Sequence, residues 1–396
     1  MIPVTIALRN LKIHWISSII SIHSIALSTT LLFTVWLLIQ QTEKSIRQNN
    51  GGFDAVLGAR GSQLQLVLNS LFHMDSSPGT ITMLDYQQIK SHPAVKSAIP
   101  IAVGDNFKGF RIVGTNQDYM TLHEYKKGRK FEIEGRVFGK KEKEAVIGLF
   151  VAQTLNLKIG DVFHPYHGLQ YQESAKHQEQ YRVVGILKKT GTPVDRVLWI
   201  PLHGVQNMEG HSEEFAQSLS AVLLKLKGKA GFMLQMMYNK QGNKLTFVWP
   251  TALVIRNFFA KTEWATLALK IVGVLVAFIA TLSNFAILFN SIRERRKELA
   301  IFRIIGANKK TLLFSVLVEG FIISAIALLL SFSLYALAAF IIQQFLWIKM
   351  GILIELIFLD PLIFYISGIV LIAGILSSII PGWIAYRNSP LHNIES

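Results

Sequence analysis

The sequence predicts a membrane protein with four transmembrane α-helices and a large α+β extracytoplasmic domain inserted between the first helix and the second. Three observations lead there. Of 396 residues, 51% are hydrophobic and only 16% charged, with a positive mean hydropathy, a balance unusual for a soluble globular chain. Four stretches are apolar over the roughly 20 residues, at about 1.5 Å rise each, that crossing a bilayer requires. The Lys and Arg residues of the short flanks are placed so that these stretches share one consistent orientation.

The first span, 16–39, holds no Lys, Arg, Asp or Glu. It exceeds the apolar core of a cleaved signal peptide, about 7 to 15 residues, and "QQTEKSIRQNN" follows it without an A-x-A-like site, so it reads as a retained anchor. The second, 264–292, contains only Lys270, placed near the outer end where its stem can snorkel, and no special role is expected of it. The third, 311–346, contains only Glu319 and is the longest, which predicts a tilted or projecting helix. The fourth, 361–386, has no charged residue.

Arg9 and Lys12 precede the first span, seven Lys or Arg fall between 293 and 310, and Arg387 follows the fourth. The positive-inside rule places these flanks in the cytoplasm, and an even number of spans returns the C-terminus to the side of the N-terminus. Residues 40–263 are then extracytoplasmic, 347–360 form a short outer loop, and 387–396 a cytoplasmic foot. The net charge of +15 does not point to nucleic acid on this placement. A basic surface outside the cell faces anionic lipid or glycan, and most of its lysines serve solubility. The chain has no cysteine, which excludes disulfides and thiolate metal sites.

Within 40–263, "AVKSAIPIAVG" and "FRIVGTNQDY" read as strands from their β-branched content and bounding Gly and Pro. "MLDYQQIKSH" reads as a helix with Leu84 and Ile89 on one side, ended by His92-Pro93. Further strand and helix signals run from "KFEIEGRVF" through "EAVIGLFVAQTLNLKIGDVF" to "YRVVGILKKTG" and "VDRVLWIPL". Mixed short strands and helices predict an α+β domain, with room for two subdomains.

"RERRKELAIFRIIGANKK", 293–310, lies between the second and third spans. Read as a helix, it sets Leu299, Phe302 and Ile305 near one stripe, joined by Ala300, Ile301 and Ile304, with Arg293, Arg296, Lys297 and Arg303 around it. Gly306 can end that helix in a left-handed turn, and Asn308 can cap the next. A membrane-surface anchor would need only the basic residues; Glu294, Glu298 and the glycine stop favour a lever. No Walker A motif occurs, since "GRVFGKK" has three residues between its glycines and Lys after Gly139-Lys140.

Together these residues resemble permease subunits of the FtsX/MacB/LolC type, the transmembrane components of mechanotransmitting ABC transporters. Arg293, Glu294, Arg296, Glu298, Arg303, Gly306 and Ala307 match the family's basic start and closing "R-x-x-G-A", and Glu319-Gly320 resembles its third-helix start. Gly135, Arg136 and Phe138 resemble its "GR-x-F" element, with Glu144, Val146, Gly148, Ala152, Leu155, Gly160 and Asp161 in similar register. "ALRNLKIHW" looks like the amphipathic elbow, residues 1–15, and Ala385, Arg387 and Pro390 like the end of the last helix.

The resemblance implies that 40–263 is a MacB-like periplasmic core domain and that 293–310 is a coupling helix on a separate cytoplasmic ABC ATPase. It further implies a second permease copy, as a homodimer or related heterodimer, in the cytoplasmic (inner) membrane. The chain itself would be non-catalytic and bind no cofactor, with ATP and Mg²⁺ held by the ATPase. Its work would be export or extraction of a lipophilic or peptide substrate such as lipoprotein, lipid, haem or an antimicrobial. The alternative is a regulator that activates an extracytoplasmic cell-wall hydrolase without transport. An independent membrane enzyme or sensor would need an active site or signalling module, and no such set stands out; H-E-x-x-H and G-x-S-x-G do not occur.

Three further features are candidates. Glu319 sits about two turns into the third span, where a charge is costly unless paired or near water; it could pair across a dimer, relay conformation, contact a headgroup, or simply sit near the interface beside a polar neighbour. Gly58, Arg60 and Gly61 break a strand-like start, and Leu64, Leu68, Leu71 and Phe72 follow at helical spacing, a possible outer contact or ordinary core. His164, His167 and His177 have short, ligand-like spacing, but intervening Gly, Gln and Pro suggest surface histidines on an outer loop, and no metal is assigned.

Overall fold

In the computed structural model the apolar stretches become helices longer than their hydropathy requires. The structure describes residues 2–48, 52–126, 128–140, 143–169, 171–208, 217–228, 230–261, 263–294, 301, 304–350 and 360–387. The chain opens with helices α1 (Ile2–Ile13) and α2 (Trp15–Gln48). Strand β1 (Ala55–Ala59), α3 (Gln63–Phe72), β2 (Ile81–Thr82), α4 (Met83–Ser91), β3 (Val95–Phe107), β4 (Phe110–Thr115) and α5 (Asp118–Thr121) follow. Next come β5 (Glu124–Lys126), β6 (Arg129–Lys130), β7 (Ile133–Gly135), β8 (Glu144–Ile147), α6 (Leu149–Leu155), β9 (Val162–Phe163) and β10 (Tyr166–His167). Then follow β11 (Tyr181–Leu187), β12 (Leu198–Pro201), α7 (Leu202–Gln206), β13 (Ser218–Leu219), β14 (Ala221–Leu226), α8 (Gly231–Tyr238), β15 (Leu245–Val248) and α9 (Thr251–Ala260). Among the described residues three long helices follow: α10 (Glu263–Glu294), α11 (Lys309–Met350) and α12 (Pro361–Arg387).

Two units result, one of residues 1–41, 263–342 and 354–396, the other of 42–262 and 343–353. Among the described residues four helices are long and apolar enough to cross a membrane, and these spans lie in the first unit apart from the end of α11. Helix α2 has 34 residues and α11 has 42; at 1.5 Å per residue these are about 51 and 63 Å long, against a hydrocarbon core of about 30 Å.

Apolar side chains gain nothing by leaving lipid, so helix association there rests on close packing and hydrogen bonds. On α2, Phe33 lies tilted against Phe332 at 5.3 Å and edge-on to Tyr335 at 5.7 Å, both on α11. Nearby, Ile25 and Ala26 share a buried cluster with Ile323 and Ala327. Small residues let α11 and α12 approach more closely still. A Cβ on Gly320 would lie 1.8 Å from Ser378 Oγ, and one on Gly374 the same distance from Ser324 Oγ. The Ser378 hydroxyl donates to the Gly374 carbonyl at 2.8 Å, which satisfies it without water.

In the second unit eleven of the described strands form a mixed sheet, ordered β15-β1-β14-β3-β4-β12-β8-β11-β7, with β10 paired to β3 and β9 to β11, while β13 pairs with β2 and β5 with β6. Strand β3 is long enough to serve three neighbours: Val95 to Ile101 pair with β14, Ala102 to Phe107 with β4, and Asp105 and Asn106 also with β10. Alternation then builds two cores, one on each face. Ala221 and Leu223 of β14 join Val56, Ile99 and Ile101 on one face, while Val222, Leu224 and Leu226 join Leu57 and Ala98 on the other.

Local signals explain the short helices. Helix α4 starts at a capping box in which Thr82 Oγ1 accepts from Asp85 N and the Asp85 carboxylate accepts from Thr82 N. Its buried face is Tyr86 and Ile89; Leu84 is exposed, contrary to the expected Leu84 and Ile89 side. The last turns of α11 belong to this unit: Trp347 meets the Phe150 ring edge-on at 5.4 Å and lies 4.5 Å beneath Lys189 Nζ.

Candidate functional site

The segment between α10 and α11 is where coupling chemistry is expected. Arg293 and Glu294 form the end of α10. Arg296, Glu298 and Arg303 lie outside the described residues, as do Leu299, Ala300 and Phe302. What is described is apolar and bare: Ile301, Ile304 and Ile305 are 52%, 61% and 78% exposed. Residues at i, i+3 and i+4 share one helical face. Gly306 follows with φ of +101°, a left-handed conformation that stops the helix without a Cβ penalty. After Ala307, Asn308 starts α11, its Oδ1 accepting from Lys310 N at 3.3 Å and its carbonyl from Thr311 N at 2.9 Å.

Glu319 is buried on α11, one residue before the Gly320 contact with α12. A cavity of about 680 Å³ opens between α2, α10 and α12 in the same unit, lined mainly by apolar side chains such as Trp36, Phe278 and Ile366, with Lys270 at its wall. Lys270 is thus placed beside a groove, a position its sequence context did not suggest.

In the second unit the strand break and helix at 53–72 are largely core. Gly58 lies in β1, where a Cβ would fall 2.3 Å from Leu66 Cδ1; Gly61 abuts Pro78 in the same way at 2.6 Å. Helix α3, capped by Ser62, buries Leu66, Val67, Asn69, Ser70 and Leu71, and leaves Leu64 and Leu68 half-buried on its rim. Arg60 is exposed and reaches the carbonyls of Asn239 and Lys240 at 3.5 and 3.4 Å.

Where α3 ends, His73 takes a left-handed conformation, φ 53°, and is buried edge-on against Trp199 at 5.1 Å. Burial, reinforced by the Arg111 charge, pushes its pKa from 6.5 down to about 3. The side chain is therefore a neutral imidazole at ordinary pH. Burial also raises the Asp195 carboxyl against the opposing hydrogen bonds from Thr190 and Gly191, and raises the Tyr119 and Tyr181 phenols.

The "GR-x-F" element has a physical basis at each position. Gly135 has φ of +91°, and a Cβ there would lie 2.4 Å from the Val184 carbonyl. Arg136 pairs bidentately with Glu144, whose Oε2 also accepts from Gly139 N at 2.9 Å. Phe138 is fully buried. Further along, a Cβ on Gly148 would strike the Asp195 backbone at 2.2 Å, Gly160 is left-handed, and Asp161 Oδ2 accepts from Lys158 N at 2.7 Å.

Of the three histidines, His167 and His177 converge on Asp105, while His164 lies apart near Gln180. Asp105 was not among the expected site residues. Its one sequence signal is the preceding Gly104, at the register shift between Val103 and Asp105.

With this geometry in hand, two family models match the chain: the MacB-like periplasmic core domain over residues 18–231 and the FtsX-like permease C-terminal region over 270–390. Among solved structures, the chain is similar to the periplasmic region of MacB from Actinobacillus actinomycetemcomitans, at 12% identity over 53% of this chain and 94% of that one, with a TM-score of 0.35. It is also similar to the extracellular domain of the noncanonic ABC-type transporter YknZ from Gram-positive bacteria, at 16% identity over 49% and 100%, with a TM-score of 0.31. No curated protein matches in sequence. The periplasmic-core model spans more than half of the chain and the permease model follows it in order, so the chain belongs to the FtsX/MacB-type family of ABC transporter permeases.

Proposed function

We propose that this permease carries ATP-driven motion from a separate cytoplasmic ATPase to its outer domain, and so exports or extracts a lipophilic or peptide substrate. The observation that carries the reading is the bare face of Ile301, Ile304 and Ile305, set in a strongly basic segment and closed by left-handed Gly306. Such a face suits an apolar groove on another protein. Arg293, Arg296 and Arg303 would pair with acidic groups at its rim, while Glu294 and Glu298 fix the register.

Helix α11 begins three residues after Gly306 and runs unbroken to Met350. A push at its start is delivered at its far end, because a hydrogen-bonded helix is stiff along its axis. In this scheme the N- and C-termini are cytoplasmic and the large domain lies outside. Two permease copies, alike or related, serve two nucleotide sites. ATP and Mg²⁺ stay on the ATPase, and the permease has no catalytic residue of its own.

The test is a purified complex with the ATPase in lipid nanodiscs. Arg303→Glu combined with Glu298→Lys should abolish permease-stimulated ATP hydrolysis while leaving the basal rate of the ATPase alone unchanged. Unchanged stimulation would refute coupling through this segment.

A further inference from the structure

Three separate segments of the outer domain bring Asp105, His167 and His177 together. Strand β10 pairs antiparallel with β3, setting His167 opposite Asp105 and Tyr166 opposite Asn106. Directly opposed residues project on the same side of a sheet. The Asn106 amide secures that pairing by donating to the Gly168 carbonyl at 2.8 Å. On the other flank of β10, Tyr166 bridges to Lys176 and His177 N donates to the Pro165 carbonyl at 2.9 Å, which delivers His177.

Asp105 Oδ1 lies 3.4 Å from His177 Nε2 and 3.6 Å from His167 Nδ1, and the three ligand atoms all lie within 4.8 Å of one another. Among the described residues this is the one such cluster. Asp105 is fully buried, the His177 side chain is 6% exposed, and that of His167 is 57% exposed. Two ligands are thus held by the core, and the third can rotate at the surface.

We propose that Asp105, His167 and His177 form a site for a divalent transition-metal ion of the zinc class. In a tetrahedral zinc centre with bonds of about 2.0–2.1 Å, neighbouring ligand atoms stand about 3.3 Å apart. Both Asp–His edges are already near that length, and rotation of the exposed His167 ring closes the third. Two imidazoles and one carboxylate suit zinc and its neighbours, whereas calcium and magnesium prefer six or more oxygen ligands. The cation also supplies positive charge against a carboxylate whose burial is otherwise costly. Three protein ligands leave a fourth position facing solvent on the His167 side, open to water or to a donor atom from a partner.

The test uses the full chain in nanodiscs, purified through a tag without histidine and stripped with a chelator. Titration with Co²⁺ should give one equivalent of intense tetrahedral visible absorption, which Zn²⁺ bleaches. His167→Ala, at an exposed position, should weaken Co²⁺ binding at least tenfold, and His177→Gln should do the same. His164→Ala should leave binding unchanged. Zn²⁺ should raise the unfolding midpoint of the wild-type chain and not that of His167→Ala. No tetrahedral spectrum, equal affinity in His167→Ala, or loss of binding in His164→Ala would each overturn the proposal.

Discussion

Acid should weaken the α/β domain between α2 and α10 through one side chain, His73. The unfolded chain takes up a proton on this imidazole near pH 6.5, whereas the folded chain does not until about pH 3. Because the folded pKa is depressed, the stabilisation is fully present above pH 6.5 and is lost as pH falls toward 3. Each pH unit below 6.5 costs about 1.4 kcal/mol, so the loss is about 2 kcal/mol at pH 5 and approaches about 5 kcal/mol near pH 3. His73→Asn removes the titrating group with a residue that tolerates the left-handed backbone. It also gives up the edge-on contact with Trp199, a loss of about 0.5–1.5 kcal/mol at every pH. Wild type should therefore be the more stable at pH 8, with the two curves crossing between about pH 5.4 and 6.4. Urea unfolding of the full chain in nanodiscs, followed by tryptophan fluorescence that includes buried Trp199, measures this directly. Parallel pH dependence in the two proteins would refute the assignment.

Other substitutions probe different parts of the molecule. Gly374→Ala places a methyl group against Ser324 and should cost about 1–3 kcal/mol in thermal unfolding. Adding Ser324→Gly should restore most of that loss; failure to do so would mean α11 and α12 do not pack at this point. Arg136→Met should cost about 1–3 kcal/mol near neutral pH by leaving the largely buried Glu144 short of a charged partner. A cost below about 0.5 kcal/mol would mark the pair as an ordinary surface contact. Gly306→Val forces a β-branched residue to φ of +101° and should lower ATPase stimulation without preventing insertion of α10 and α11 in the membrane. Undiminished stimulation would remove the glycine stop from the coupling scheme.

The membrane helices were legible because lipid imposes a requirement on composition alone, visible in any single stretch. The start of α4 was legible for a similar reason, since Thr82 and Asp85 act within one turn. Helix faces were harder. "QLQLVLNSLF" is apolar on nearly every side, so spacing could not choose between the Leu64 and Leu68 rim and the buried Leu66 and Leu71. The choice is made elsewhere, by Gly58, which makes room for Leu66 against β1. Asp105 was invisible as a partner for His167 and His177 because only the register of β3 with β10 brings them together. Of the apolar stripe expected in 293–310, Leu299, Ala300 and Phe302 lie outside the described residues, and Ile301, Ile304 and Ile305 are exposed.

The central claim is that the ATPase drives a movement of the outer domain through residues 293–310. The native chain has no cysteine, so a single cysteine at exposed Lys240 can carry a spin label in each of two permease copies. Distances between the labels would be measured by pulsed electron paramagnetic resonance in the ATPase complex, with ADP and with ATP held by a hydrolysis-deficient ATPase. The account predicts a distance distribution that shifts between the two nucleotides and no longer does so when Arg303→Glu and Glu298→Lys are present. Superimposable distributions in the unmutated complex, or a shift that survives the charge reversal, would contradict it.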